Sequence, residues 1–308
     1  MNKIGIIGDL INNAYGRARK AWKAKDLDGY QHLARLQTEL GSDYLDVNID
    51  NTSKLSVKKE EMLAFLPDLI PALQEVSTAP LCFDNPSYEF HKVALEAYDF
   101  SKSAPPIINS IAASRAHLQD IIELINAYQA SVIVIASEKL TDGGSSPCET
   151  PEDVYRTAKD FVALLRNNSN IQNGQIFIDP GLPPVGADTQ GLVNMGLDAI
   201  KMIRADKDLE GVHISVGLSN FAWGIPKHLR ATLERCYLSI AGELGLDFSI
   251  SNPEHNPSPL PMDNDYVVGL KEALEAGRPQ EGESIADAGF RQASAILALV
   301  TDDEEDEW

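Results

Sequence analysis

Eight short apolar runs, separated by segments with helical spacing, constrain this chain more than any other feature: residues 3–8, 44–49, 81–84, 107–111, 131–137, 175–179, 213–219 and 247–251. Most are continuous and not alternating, the pattern of parallel strands covered on both faces. Eight alternations of strand and helix, with crossovers long enough for right-handed βαβ units, predict an α/β fold, a closed (β/α)8 TIM barrel. A doubly wound open sheet is the structural alternative. At 308 residues and 44% apolar content, the chain holds enough for one barrel of about 250 residues with extensions. We therefore expect a barrel over residues 1–301 and a disordered acidic tail over 302–308.

The spacing of apolar residues predicts one long helix over 14–40, another over 60–76 that Pro67 and Pro71 should kink, and one over 115–128 capped by Ser114. Residues 151–165 should follow a Thr150 cap with proline at the first helical position. Helices over 191–203, 226–244 and 267–276 complete the series, with an extra C-terminal helix over 285–300. The glycines and serines of residues 143–146 read as a surface connection.

A formal charge of -20 repels phosphate backbones and anionic lipid, which argues against nucleic-acid or membrane-surface binding. Three scattered cysteines form no C-x-x-C pair, so neither a disulfide framework nor a thiolate metal site is encoded. Cys82 and Cys236 read as buried fillers. With no spanning apolar stretch, the cytoplasm is the expected location.

In a parallel barrel the strand ends and the loops after them share one rim. That rim collects Asp9, Asn12, Asp46, Asn48, Asp84, Asn109, Glu138, Asp179, Asn220 and Asn252, and by this reading no histidine. A histidine triad or metal site is poorly supported, and no phosphate loop or G-x-G-x-x-G is present. A ring of carboxylates and carboxamides suits a neutral, flat heterocycle rich in N–H donors. The competing reading is local: Asn85 before Pro86 as a helix cap, and Asp179 before Pro180 as the start of a turn.

The rim residues lie in longer motifs: Ile6-Ile7-Gly8-Asp9-Leu10-Ile11-Asn12-Asn13, Leu45-Asp46-Val47-Asn48, Leu81-Cys82-Phe83-Asp84, Ile108-Asn109-Ser110, Ile178-Asp179-Pro180 and Gly217-Leu218-Ser219-Asn220 followed by Gly224-Ile225-Pro226. Across most of the chain these resemble the pterin-binding family, and within it the methyltetrahydrofolate:corrinoid protein methyltransferases. The resemblance implies a barrel that binds tetrahydrofolate or methyltetrahydrofolate at its mouth. Asp84, Asn109 and Asp179 would hydrogen-bond the pterin, Asp46, Gly217 and Ser219 would line the site, and Asn220 would act at the nitrogen that carries the methyl group. No metal ligand is implied. The corrinoid would arrive on a separate protein, because no D-x-H-x-x-G signature is present, and the resemblance implies a homodimer.

A methyl group on a tertiary amine has a poor leaving group, so a hydrogen bond from Asn220 that strengthens in the transition state would accelerate transfer. The rim offers no obvious neutral acid, leaving water or an extended network to supply the proton. Two rival readings are a dihydropteroate synthase, disfavoured by Asn252-Pro253-Glu254-His255 in place of a Ser-x-Arg element, and a non-catalytic pterin-binding subunit.

Overall fold

A computed structural model describes residues 3–301, so the expected acidic tail at 302–308 lies outside the described residues. The strands are β1 (Gly5–Asn12), β2 (Tyr44–Asn48), β3 (Leu81–Asp84), β4 (Ile107–Ile111), β5 (Ser131–Ile135), β6 (Glu138–Thr141), β7 (Gly144–Pro147), β8 (Ile176–Asp179), β9 (His213–Gly217) and β10 (Phe248–Ser251). All but β6 and β7 pair in parallel and close on themselves in the order β1-β10-β9-β8-β5-β4-β3-β2. Each of the eight apolar runs of the sequence is one of these barrel strands. The molecule is thus a (β/α)8 barrel.

Helices α1 (Gly16–Ala24), α2 (Leu27–Glu39), α3 (Lys59–Gln74), α4 (Tyr88–Ala97), α5 (Leu118–Tyr128), α6 (Pro151–Asn168), α7 (Leu192–Ala205), α8 (Lys227–Leu244), α9 (Asp265–Ala276) and α10 (Ile285–Thr301) accompany the strands. None is long and apolar enough to cross a membrane. The single helix expected over 14–40 is two, because Lys25 turns left-handed at φ 50° and Asp26 restarts the chain by accepting the Gly29 N–H at 3.0 Å. Helix α5 starts at Leu118 and not at Arg115. Ser114 gives both its N–H and its hydroxyl to Glu138 instead of capping, and His117 turns at φ 60°.

Helix α3 continues through Pro67 and Pro71, with Leu66, Leu69, Ile70 and Leu73 buried along it. Burial of that face offsets the hydrogen bonds that proline removes. Thr150 caps α6 as its sequence predicts, accepting from Asp153 N–H at 3.1 Å. The glycine-rich stretch after β5 is a regular antiparallel hairpin whose two-residue Asp142-Gly143 connection joins β6 to β7.

An aromatic floor fills the N-terminal end of the barrel, where Phe177, His213 and Phe248 pack with ring centroids 4.6 to 5.0 Å apart. Gly5 is required beneath it, since a Cβ there would lie 2.3 Å from Phe248. Strand β1 bulges between Gly8 and Ile11, and buried Gln37 of α2 accepts the Leu10 N–H at 2.8 Å. The three cysteines are buried and free. Helix α10 presses its backbone on the loop after β8, so a Cβ on Gly289 would stand 2.7 Å from the Thr189 carbonyl oxygen.

Candidate active site

Above the floor, Ile7, Cys82, Ile107, Ile133 and Phe177 form the apolar interior of the barrel. Side chains alternate with a period of two along a strand, so the residue two places further on points inward again, one layer nearer the C-terminal mouth. Those residues are Asp9, Asp84, Asn109, Ile135 and Asp179; from Tyr44, which packs against the same interior, the next is Asp46. Pairing sets Asp84 beside Asn109 and Ile135 beside Asp179. One polar layer therefore gathers Asp9, Asp46, Asp84, Asn109 and Asp179 from five different strands.

The remaining residues singled out in the sequence lie on the segment after β9. Gly217 ends the strand, and a single 3-10 turn carries Ser219 and Asn220. The Ser219 hydroxyl donates to Asp9 at 2.9 Å, which fastens this turn to β1. The carboxamide of Asn220 folds back so far that a Cβ on Gly217 would stand 2.9 Å from its Nδ2. Asn48 donates to Asp84 at 2.8 Å.

Other rim residues are absorbed by local structure. Asn12 accepts from Ala14 N–H at 2.8 Å, Asn252 from Glu254 N–H at 2.9 Å, and Glu138 holds Ser114. Ser87, not Asn85, caps α4; Asn85 accepts from the Ser87 N–H and donates to Asp50. Asp179 does begin a turn, with Oδ1 accepting the Gly181 N–H at 2.7 Å.

Burial controls the charge of this layer. Desolvation pushes the Asp9, Asp84 and Asp179 carboxyls up to about 6, against 3.8 for an ordinary aspartate. Hydrogen bonds from Ser219 and Tyr15 to Asp9, and from Asn48 to Asp84, partly restrain the rise, and the Arg115 cation also favours ionised Asp84. Fully buried, with no hydrogen-bond partner on either oxygen and with Asp84 and Asp9 as neighbouring charges, Asp46 has its carboxyl held well above the usual carboxylate range, chiefly by desolvation.

Sequence comparison now bears on the same elements. The model of a family described as "Pterin binding enzyme" matches residues 11–248, from the end of β1 to the start of β10. The chain belongs to the pterin-binding enzyme family.

Among relatives of this pterin-binding enzyme, a methylcorrinoid:tetrahydrofolate methyltransferase of Eubacterium limosum is 24% identical over 250 residues, spanning 80% of this chain and 84% of that one. A methionine synthase of Mycobacterium leprae is 23% identical over 252 residues, 80% of this chain but 20% of its own length. Dihydropteroate synthase of Vibrio fischeri superposes with a TM-score of 0.61 at 12% identity, covering 90% of this chain and 95% of that one. The Coxiella burnetii enzyme in complex with pteroic acid gives 0.55 at 16% identity, over 81% and 88%. At such identities the structural likeness is one of fold.

Four residues of the pterin-binding enzyme's mouth escape sequence reading. Tyr15 donates to both oxygens of Asp9 at 3.0 and 3.1 Å. His255 meets buried Glu234 of α8 at 3.0 Å, a contact that raises the imidazole's affinity for its proton, and both act electrostatically on Asp9. A histidine therefore does stand at this end of the barrel. Arg115 anchors on Ser110, donating to its carbonyl at 3.2 Å and its hydroxyl at 3.0 Å. Beside Asp179 a cavity of about 900 Å³ opens between the hairpin and α10, lined by Ser137, Cys148, Pro180, Leu182, Met195 and Ile285.

Proposed function

We propose that this pterin-binding enzyme moves a methyl group between N5 of tetrahydrofolate and the cobalt of a corrinoid carried by a separate protein, acting in the cytoplasm as a homodimer. The observation that carries the reading is the layer of Asp84, Asn109 and Asp179 on the inward-facing ends of β3, β4 and β8, with Asn220 on the turn that follows β9. Ionised Asp84 and Asp179 accept the paired N–H groups of the pterin's aminopyrimidine edge, and Asn109 offers one donor and one acceptor. Asn48 keeps Asp84 oriented for that task.

In the direction from folate, the bond between N5 and the methyl carbon breaks as the electron pair of cobalt(I) forms the cobalt–carbon bond. N5 keeps the pair it shared with carbon and takes up a proton. Asn220 stabilises N5 as that charge changes, a differential interaction of the kind that lowers a barrier. Asp46, in the same polar layer and with its carboxyl held well above the usual range, supplies the proton through that layer. The reverse reaction uses the same groups with each movement reversed. The methyltransferase named among the relatives supports this reading.

The test is incubation of the purified protein with tetrahydrofolate and methylcobalamin, following the visible spectrum for loss of methylcobalt. Asn220→Ala is expected to depress transfer far more than tetrahydrofolate binding. Equal losses in both would reduce Asn220 to a binding residue, and binding with no transfer by the wild type would favour a non-catalytic pterin-binding protein.

A further inference from the structure

The segment after β9 presents one feature that the pterin layer does not use. Trp223 is 71% exposed, while Phe221 and Ala222 before it and Ile225 after it are buried. The turn is pinned on both sides: the Phe221 carbonyl accepts the Val185 N–H at 2.9 Å, and Trp223 N–H donates to the Asn220 carbonyl at 3.1 Å. Gly224 then reverses the chain at φ +90°, a conformation that only glycine adopts without strain. A large ring is thus held out to solvent, three residues from Asn220, on backbone that is anchored and not loose. A single exposed ring is ordinary on a protein surface; this one is distinguished by its anchored place three residues from Asn220.

The reaction proposed above determines what passes over this position. Methyl transfer requires cobalt within about 3–3.5 Å of the carbon on N5, in line with the breaking bond. Cobalt sits at the centre of a broad, flat corrin whose rim carries amide side chains and whose conjugated faces are apolar. A macrocycle centred over N5 must cover the neighbours of Asn220; the acids and amides of the mouth can meet its rim but give its apolar face nothing to pack on.

We propose that Trp223 is the seat on which the corrin ring of the incoming carrier rests, contributing affinity for the corrin beside the pterin. This inference depends on the methyl-transfer reading. The indole suits the role because it brings large, rigid contact area at little cost in rotamer entropy.

Free methylcobalamin serves as the probe, since it presents the corrin without a carrier protein. Trp223→Ala, which removes an exposed side chain, is expected to raise KM for methylcobalamin about tenfold, the equivalent of one well-packed ring contact. Retention of hydroxocobalamin in equilibrium dialysis should fall by a similar factor. The value of kcat at saturating cobalamin and the Kd for tetrahydrofolate should hold within about twofold, and Trp223→Phe should recover most of the loss. Wild-type turnover with an unchanged KM in Trp223→Ala overturns the contact and leaves methyl transfer standing. Weakened tetrahydrofolate binding overturns it by assigning the indole to the pterin pocket. A wild type that binds folate but neither retains cobalamin nor transfers methyl overturns both.

Discussion

Ser219 and Asp9, 210 positions apart in the chain, share a hydrogen bond of 2.9 Å that ties the Asn220 turn to β1 across the intervening strand β10. The bond is to a carboxyl with a pKa of about 6, so at neutral pH it is charge-assisted and stronger than a neutral pair. Tyr15 donates to the same carboxyl at 3.0 and 3.1 Å. Asn220 therefore owes its position to residues outside its own loop.

Ser219→Ala breaks that tie and leaves the pterin-facing carboxylates untouched. We expect kcat for methyl transfer to fall about tenfold, with the Kd for tetrahydrofolate within about threefold, as hydrogen bonds to charged groups contribute about 1.5–3 kcal/mol. Steady-state kinetics with calorimetric folate titration checks this. An unchanged kcat would show that Asn220 keeps its place without the bond.

Asp46→Asn tests the buried acid. The side chains match in size, and burial already disfavours the charged form of Asp46, so the melting temperature should stay within about 2 °C of wild type. An amide supplies no transferable proton, and methyl transfer should fall about 10²-fold or more, the scale of lost general acid catalysis. Tetrahydrofolate affinity measured alongside should change little. Retained transfer would remove Asp46 from the proton path.

The barrel was legible because strands such as Leu81–Asp84 and Ile176–Asp179 combine an apolar run with a polar end, a purely local signal. The same local signal located the residues that the fold gathers into one layer. The break at Lys25 and the late start of α5 were not legible, because a single left-handed residue leaves the apolar spacing on either side nearly intact. Tyr15, Glu234 and His255 escaped for another reason: the relation of each to Asp9 is set by packing across the barrel, and nothing in their sequence neighbourhoods points there. The raised proton affinity of Asp46 likewise follows from burial and like charges, neither of which a motif states.

Asp179 carries opposite pH signatures in stability and binding. Its folded-state pKa of about 6 exceeds the ordinary 3.8, so the native state holds the proton more tightly than the unfolded chain. Its contribution is greatest below about pH 4, declines as pH rises to about 6 and is level above. Asp179→Asn keeps an oxygen for the Gly181 N–H and has no charge to bury. It should gain on the order of 1–3 kcal/mol over wild type above pH 6, with the gain vanishing toward pH 4. Tetrahydrofolate affinity of the wild type should instead rise through pH 6 as the carboxylate ionises, and that rise should be reduced in the variant. Denaturant unfolding and calorimetry from about pH 4 to about pH 7.5 measure both. A flat stability difference would show that folding does not desolvate the Asp179 carboxylate.

Gly217→Ala asks whether the placement of Asn220 limits the reaction. The added Cβ would lie 2.9 Å from Asn220 Nδ2, the far end of a side chain that is free to give way. Folding should therefore be nearly unaffected, with a melting temperature within about 2 °C, while the amide shifts by a few tenths of an ångström. Catalysis is sensitive to displacements of this kind, so kcat should drop about five- to tenfold at unchanged tetrahydrofolate affinity. The two positions act through one contact and should not be additive. Placed in the Asn220→Ala background, Gly217→Ala should cost less than about twofold. Full additivity in this double-mutant cycle would mean that Gly217 acts on the reaction by a route independent of Asn220.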